Sequence, residues 1–226
     1  MYDALDYIDQ ILVTEINAAT DNPLIFETDE GYDVLSGGNF HGQYLAQAMD
    51  LLAMIMTDLG SISERRSYRL LDPIMSYGLP SNLVARLAGV NTGYAIAHCS
   101  MAALVTENKT LCWPASVDSV PTKSNQEDHV SNSTWSARKA RTVTANVQQI
   151  VATELLCAAQ AISLTEPLLG RFALGIGSAA AYAAVRQRIP AALDGDRWLH
   201  ADLVAALELV QRGAVQSAVE AVVGKL

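Results

Sequence analysis

Two strings in this chain bring reactive side chains close together. The first, Asn125-Gln126-Glu127-Asp128-His129, sets two amides, two carboxylates and an imidazole in five consecutive positions. Such a cluster can hold a zwitterionic small molecule and move a proton, provided desolvation lifts a carboxyl pKa toward neutrality. The same residues also suit a helix start, where Asp128 or Ser131 could cap free N–H groups and the helix dipole favours acids. The second string, Ser36-Gly37-Gly38-Asn39-Phe40-His41-Gly42, places an aromatic ring behind a glycine pair. Gly37 and Gly38 permit positive φ and could turn the chain so that Phe40 meets a cavity wall. A plain loop running into a helix is the alternative. Asn22, ahead of Pro23, is the third candidate, although Asn-Pro ordinarily just stops a helix.

Other chemistries find little support. His41, His98, His129 and His200 are scattered, and none sits in an HxxxH spacing with an acid, so no metal is expected. No nucleophile-elbow motif occurs, which argues against a hydrolytic triad. A formal charge of −9 disfavours non-specific nucleic-acid binding, which needs a basic surface. Cys99, Cys112 and Cys157 are odd in number and lie in apolar contexts, suggesting reduced, buried thiols. Met1-Tyr2-Asp3 lacks the start of a signal peptide, and the apolar run Leu51–Met56 is closed by Thr57 and Asp58, too short to cross a bilayer. A soluble, cytoplasmic chain without membrane or nucleic-acid partners is the expectation.

The elements that must position these residues read as helices. Half the residues are hydrophobic but only 6% are aromatic, a balance that suits packed helices. Leu5, Ile8, Ile11, Leu12, Ile16 and Ala19 form one stripe at threes and fours, ended by Asp21-Asn22-Pro23. A loop is expected over 27–38, a buried helix over 43–59 and another over 92–112. Ser116 to Asp128 is aperiodic and reads as a loop. From Ser131 to Leu164 there is neither Gly nor Pro, and Val143, Val147, Ile150, Leu155, Ala158 and Ile162 trace one face. Shorter helices follow over 178–188 and 202–223. Ser63-Glu64-Arg65-Arg66 suits a helix surface of ion pairs, and Glu107-Asn108-Lys109 suits polar links between helices. With no repeat or boundary visible, residues 1–226 are expected to form a single all-α domain.

Together with Glu15-Ile16-Asn17-Ala18-Ala19-Thr20-Asp21-Asn22-Pro23-Leu24, the two strings resemble the carboxy-terminal half of the histidine ammonia-lyase and aromatic amino acid lyase family. The resemblance continues through Glu107-Asn108-Lys109 and Pro114-Ala115-Ser116-Val117-Asp118-Ser119 to Asp196-Arg197-Trp198-Leu199, and so covers nearly the whole chain. It implies the long-helix bundle of the ammonia-lyase (fumarase/aspartase-like) superfamily. It also implies catalytic roles for Phe40, lining the pocket, and Glu127, meeting the substrate's amino group or imidazole. Asn125 and Gln126 would orient Glu127, and Asn22 would lie at the substrate end.

The family's electrophile, 4-methylideneimidazole-5-one (MIO), forms from an internal Ala-Ser-Gly. Here Ala115-Ser116 runs into Val117, and no Ala-Ser-Gly occurs. By the resemblance, the MIO-bearing amino-terminal half is expected to lie outside this chain, together with the tyrosines and arginine it supplies. Because family tetramers build each site from three subunits, the resemblance implies a split enzyme. An MIO-bearing partner chain would join this one in a hetero-oligomer on a tetrameric core, with Met1 as the start of a separate subunit. The implied reaction is elimination of ammonia from an L-amino acid, with L-histidine to urocanate favoured by Glu127. An aminomutase, suggested by the bulky Trp135, and a non-catalytic regulatory subunit are the alternatives.

Overall fold

The longest element is a 33-residue helix, Ser133–Thr165, which at 1.5 Å per residue extends about 50 Å. The computed structural model describes residues 1–170 and 172–226. Along them run α1 (Tyr2–Ile16), β1 (Leu24–Thr28), β2 (Gly31–Leu35), α2 (Gln43–Leu71), α3 (Ala95–Leu111), α4 (Ser133–Thr165), α5 (Ile176–Arg188), α6 (His200–Gln211) and α7 (Ala214–Val223). The fold is therefore mostly helical, as its composition suggests. Its contacts gather into two units, one of Met1–Asp58 with Asn108–Thr144, the other of Leu59–Glu107 with Ala145–Leu226.

In the first unit the expected loop over 27–38 is instead mostly an antiparallel hairpin, pairing Leu24 with Leu35 and Thr28 with Gly31. Leu24-Ile25-Phe26 and Tyr32-Asp33-Val34-Leu35 are strand formers, and Gly31 takes the positive φ of 133° that the tight turn needs. The acidic residues that suggested a loop lie at its turn and edge.

α2 runs twelve residues beyond its expected end at Leu59, straight through Gly60. A helical glycine costs about 1 kcal/mol relative to alanine. Here it extends a buried stripe of Ala46, Asp50, Ala53, Gly60, Glu64, Ser67 and Leu71, whose small members let neighbours approach closely. The stretches 39–71 and 133–168 are thus long and apolar enough to cross a membrane by length and composition. Within the fold both carry charged groups that pair with one another, Asp50 with Lys139 and Arg66 with Glu154.

In the second unit Leu71, Leu83, Tyr94, Leu156, Val185 and Leu209 form the main core. The buried line of α4 follows Val143, Val147 and Ile150 as expected, then passes to Leu156, Cys157 and Ala161 rather than Leu155, Ala158 and Ile162. Glu154 explains the shift. It takes the inward position because Ser63 Oγ donates to it at 2.6 Å and Arg66 pairs with it. Ser63-Glu64-Arg65-Arg66 is accordingly not only a surface of ion pairs. Ser63 and Glu64 are buried, and Glu64 bonds both Arg65 and, at 2.6 Å, His98 Nε2. Burial pushes the Glu64 carboxyl up, but Arg65 and His98 outweigh it and hold it below its usual value. Asn146 Nδ2 donates to Glu107 at 2.8 Å, one of the expected polar links. Of the thiols, only Cys157 is fully buried; burial, aided by Glu154, pushes it up to about 12, while Cys99 is exposed.

Candidate functional site

All five candidate residues belong to the first unit. Asn22 closes the base of the hairpin. Its Oδ1 accepts from Ser36 Oγ at 2.9 Å and from Gly37 N at 3.1 Å, which commits that oxygen to holding the loop that leads to Phe40. Asn39, Phe40 and His41 form a single 3-10 turn. The left-handed residue here is Gly42, at φ 69°, whereas Gly38 stays at φ −114°. A side chain at Gly42 would meet Ser133 Oγ at an ordinary 3.4 Å but would be strained by the positive φ, so the glycine that matters is the one after the aromatic ring. Phe40 is 43% exposed and its ring lies 4.1 Å from that of His41.

Glu127 sits in the loop ahead of α4. Thr122 Oγ1 donates to its Oε2 at 2.7 Å, and Lys123 Nζ pairs with its Oε1 at 3.1 Å. These contacts, Thr122 first and then Lys123, with His41 adding a weaker pull, hold the carboxyl below its usual value. The desolvation that would lift a carboxyl toward neutrality is outweighed at Glu127, whose contacts shift it the other way and suit it to accept from a cation. Asn125 is exposed and left-handed at φ 66°, and Gln126 is exposed, its N–H donating to Lys123 O at 3.1 Å.

The two loops meet through His41. Its carbonyl accepts from the hydroxyl of Ser131, with Ser133 Oγ at 3.5 Å. Ser131 thus spends its hydroxyl on the neighbouring loop. Trp135, in the first turn of α4, is half exposed, with the Arg138 guanidinium 5.8 Å above its ring.

A pair that the sequence did not single out anchors this arrangement. Asp50 of α2 and Lys139 of α4 face each other at 3.1 Å, both almost wholly removed from water. Asp50 Oδ2 also accepts from Ala115 N and Ser116 N, each at 2.7 Å, and Lys139 donates to the carbonyl of Trp113. Gln43 Nε2 donates to Ser116 O at 2.9 Å. Burial raises the Asp50 carboxyl, but Ser116 and Lys139 outweigh it and keep it low. The available signal was an acid, Asp50, inside the apolar first half of one helix, matched by a lysine near the start of another.

A cleft of about 410 Å³ opens beside this region, with Tyr7, Ile11, Thr14 and Glu15 of α1 on one side and Asn39 and Tyr44 on the other. Phe40 and Glu127 are not on its wall. Among the described residues no cluster of His, Cys, Asp and Glu could hold a metal ion.

Residues 1–187 match the family described as aromatic amino acid lyase. The chain is 51% identical over 223 residues to a histidine ammonia-lyase of Symbiobacterium thermophilum, covering 99% of this chain and 42% of that protein. With the histidine ammonia-lyase of Natranaerobius thermophilus it shares 44% over 224 residues, covering 99% and 43%. Among solved structures, histidine ammonia-lyase from Trypanosoma cruzi superposes with a TM-score of 0.88 at 44% identity, over 97% of this chain and 42% of that one. Tyrosine aminomutase from Streptomyces globisporus gives 0.89 at 39% identity, over 97% and 40%. The chain thus spans somewhat under half the length of the relatives it matches. On the family match over residues 1–187, the chain belongs to the aromatic amino acid lyases.

Proposed function

We propose that this chain supplies one side of an ammonia-lyase active site, acting in the cytoplasm with a second chain that carries the MIO electrophile. The observation that carries this reading is the placement of Glu127. It is a half-buried carboxylate held by Thr122 and Lys123 on a loop that reaches, through the hydroxyl of Ser131, the carbonyl of His41, the neighbour of Phe40. The chain itself does not fit formation of the ring. Val117 stands where cyclisation needs a glycine nitrogen, and the N–H groups of Ala115 and Ser116 are already committed to Asp50. On this reading the electrophile comes from outside these residues, and when present it would supply the electron sink for departure of the amine.

The residues of this chain would bind and orient. The Glu127 carboxylate accepts from the cationic amine or imidazole of the substrate, a contact strengthened as water is excluded. The Phe40 ring forms an apolar wall that helps to exclude it. Identity of 44–51% to histidine ammonia-lyases supports L-histidine, converted to urocanate, as the substrate. The 39% identity to a tyrosine aminomutase, together with Trp135, favours an aminomutase as the second reading.

The test is recovery of the tagged chain from its native cells, with intact mass of whatever co-purifies. A stoichiometric partner lighter than its sequence by the water lost in cyclisation, in a complex that releases ammonia from L-histidine, supports the proposal. A complex that isomerises tyrosine instead supports the second reading. Recovery of a soluble chain alone, inert toward both, overturns both.

A further inference from the structure

We propose that Thr122 and Lys123 are positioning residues for Glu127: the hydroxyl fixes one carboxylate oxygen, while the ammonium holds the other until a cationic group of the substrate replaces it. This rests on the reading of Glu127 as the carboxylate that meets the substrate.

The two contacts differ in kind. Thr122 is a short, half-buried side chain whose hydroxyl lies 2.7 Å from Oε2. Its backbone N–H also donates to Glu127 O at 3.1 Å, closing an antiparallel bridge between the two residues. With backbone and side chain both engaged, Thr122 leaves Glu127 little freedom to rotate away. Lys123 is the opposite case. Its side chain is 69% exposed, against 30% for Glu127, and it reaches Oε1 at 3.1 Å on a long, flexible stem. An exposed pair of this type contributes little free energy, so an incoming cation can displace it at small cost.

The backbone between the partners is built for this grip. Lys123, Ser124 and Asn125 all take positive φ, at 48°, 57° and 66°. Three successive non-glycine residues in the left-handed region are disfavoured sterically and persist only where surrounding structure holds them. Here the holding is visible on both sides of the loop. Val130 N donates to Ser119 Oγ at 2.9 Å, and Asn132 Nδ2 donates to the carbonyls of Ala115 and Asp118 at 3.1 and 3.2 Å. The left-handed turn brings Thr122 and Glu127 side by side and directs Lys123 back onto the carboxylate. The titratable groups beside Glu127 are Lys123 and, from the neighbouring loop, His41.

The test compares Thr122→Val, Thr122→Ser and Lys123→Met in the complex that this chain forms with its partner. Loss of the hydroxyl in Thr122→Val should lower kcat by about tenfold to a hundredfold, the scale of a mispositioned group, and Thr122→Ser should restore it. Lys123→Met should lower KM for a cationic substrate by about two- to fivefold, the range of an exposed ion pair. In the chain alone, the Glu127 carboxyl resonance, assigned by its loss in Glu127→Gln, should titrate at higher pH in Thr122→Val and Lys123→Met. Wild-type kinetics and an unmoved titration in both variants, alongside an inactive Glu127→Gln complex, would overturn the positioning roles. A fully active Glu127→Gln complex would overturn the functional reading beneath them.

Discussion

Lys139 and Asp50 oppose each other at 3.1 Å, and each holds a backbone group of the segment Trp113 to Ser116 that leads into the Glu127 loop. A buried ion pair is a poor source of net stability, because desolvation offsets much of the attraction. Its value here is positional. The pair fixes where two long helices and the intervening chain meet, and the candidate site hangs from that junction.

Removing one partner leaves the other charged and buried. Lys139→Met should therefore lower stability by about 3–5 kcal/mol, seen as a lower urea midpoint. A double replacement, Asp50→Leu with Lys139→Met, should recover only part of the loss. The N–H groups of Ala115 and Ser116 then lack their acceptor, at about 1–3 kcal/mol each.

Asp50 and Glu64 both have carboxyl pKa values depressed by folding. Their contribution is complete above the ordinary values of 3.8 and 4.5 and is lost as pH falls through the lower folded values. Urea midpoints measured from pH 7 downward should fall most steeply below about pH 4.5. Glu64→Gln should flatten that fall, and an unchanged slope would show that Glu64 gains nothing from Arg65 and His98.

Asn22→Ala removes the acceptor shared by Ser36 Oγ and Gly37 N. Local opening at the hairpin base should become easier by about 1–2 kcal/mol, read as faster exchange of the Gly37 amide. The α4 amides should keep their protection.

The three thiols should separate by reactivity. Cys99 should alkylate in the native chain, whereas Cys157, buried and raised to about 12, should react only on unfolding. Mass mapping after brief iodoacetamide treatment checks the order.

Much of the helical frame was legible because long segments free of Gly and Pro keep a 3.6-residue period; α4 was placed within two residues at its start and one at its end. What escaped was wherever a polar group took an inward position. Glu154 moved the buried line of α4, and Glu64 with Gly60 carried α2 past its expected end. No periodicity argument admits a charge to the core until its partner is known. The hairpin escaped because Asp29, Glu30 and Asp33 masked short strands. At the site, the motifs located both loops, yet Glu127's low pKa depends on Thr122 and Lys123. Spacing shows neither their geometry nor the role of His41 in joining the loops.

Whether Glu127 meets the substrate is decided by the rate of ammonia release from L-histidine by the assembled complex. Glu127→Gln keeps the shape and removes the charge. The expected result is a loss of about 10²–10⁴ in kcat with unchanged assembly. A mutant complex that turns over at the wild-type rate would contradict the account and leave Glu127 as a loop-fastening residue only.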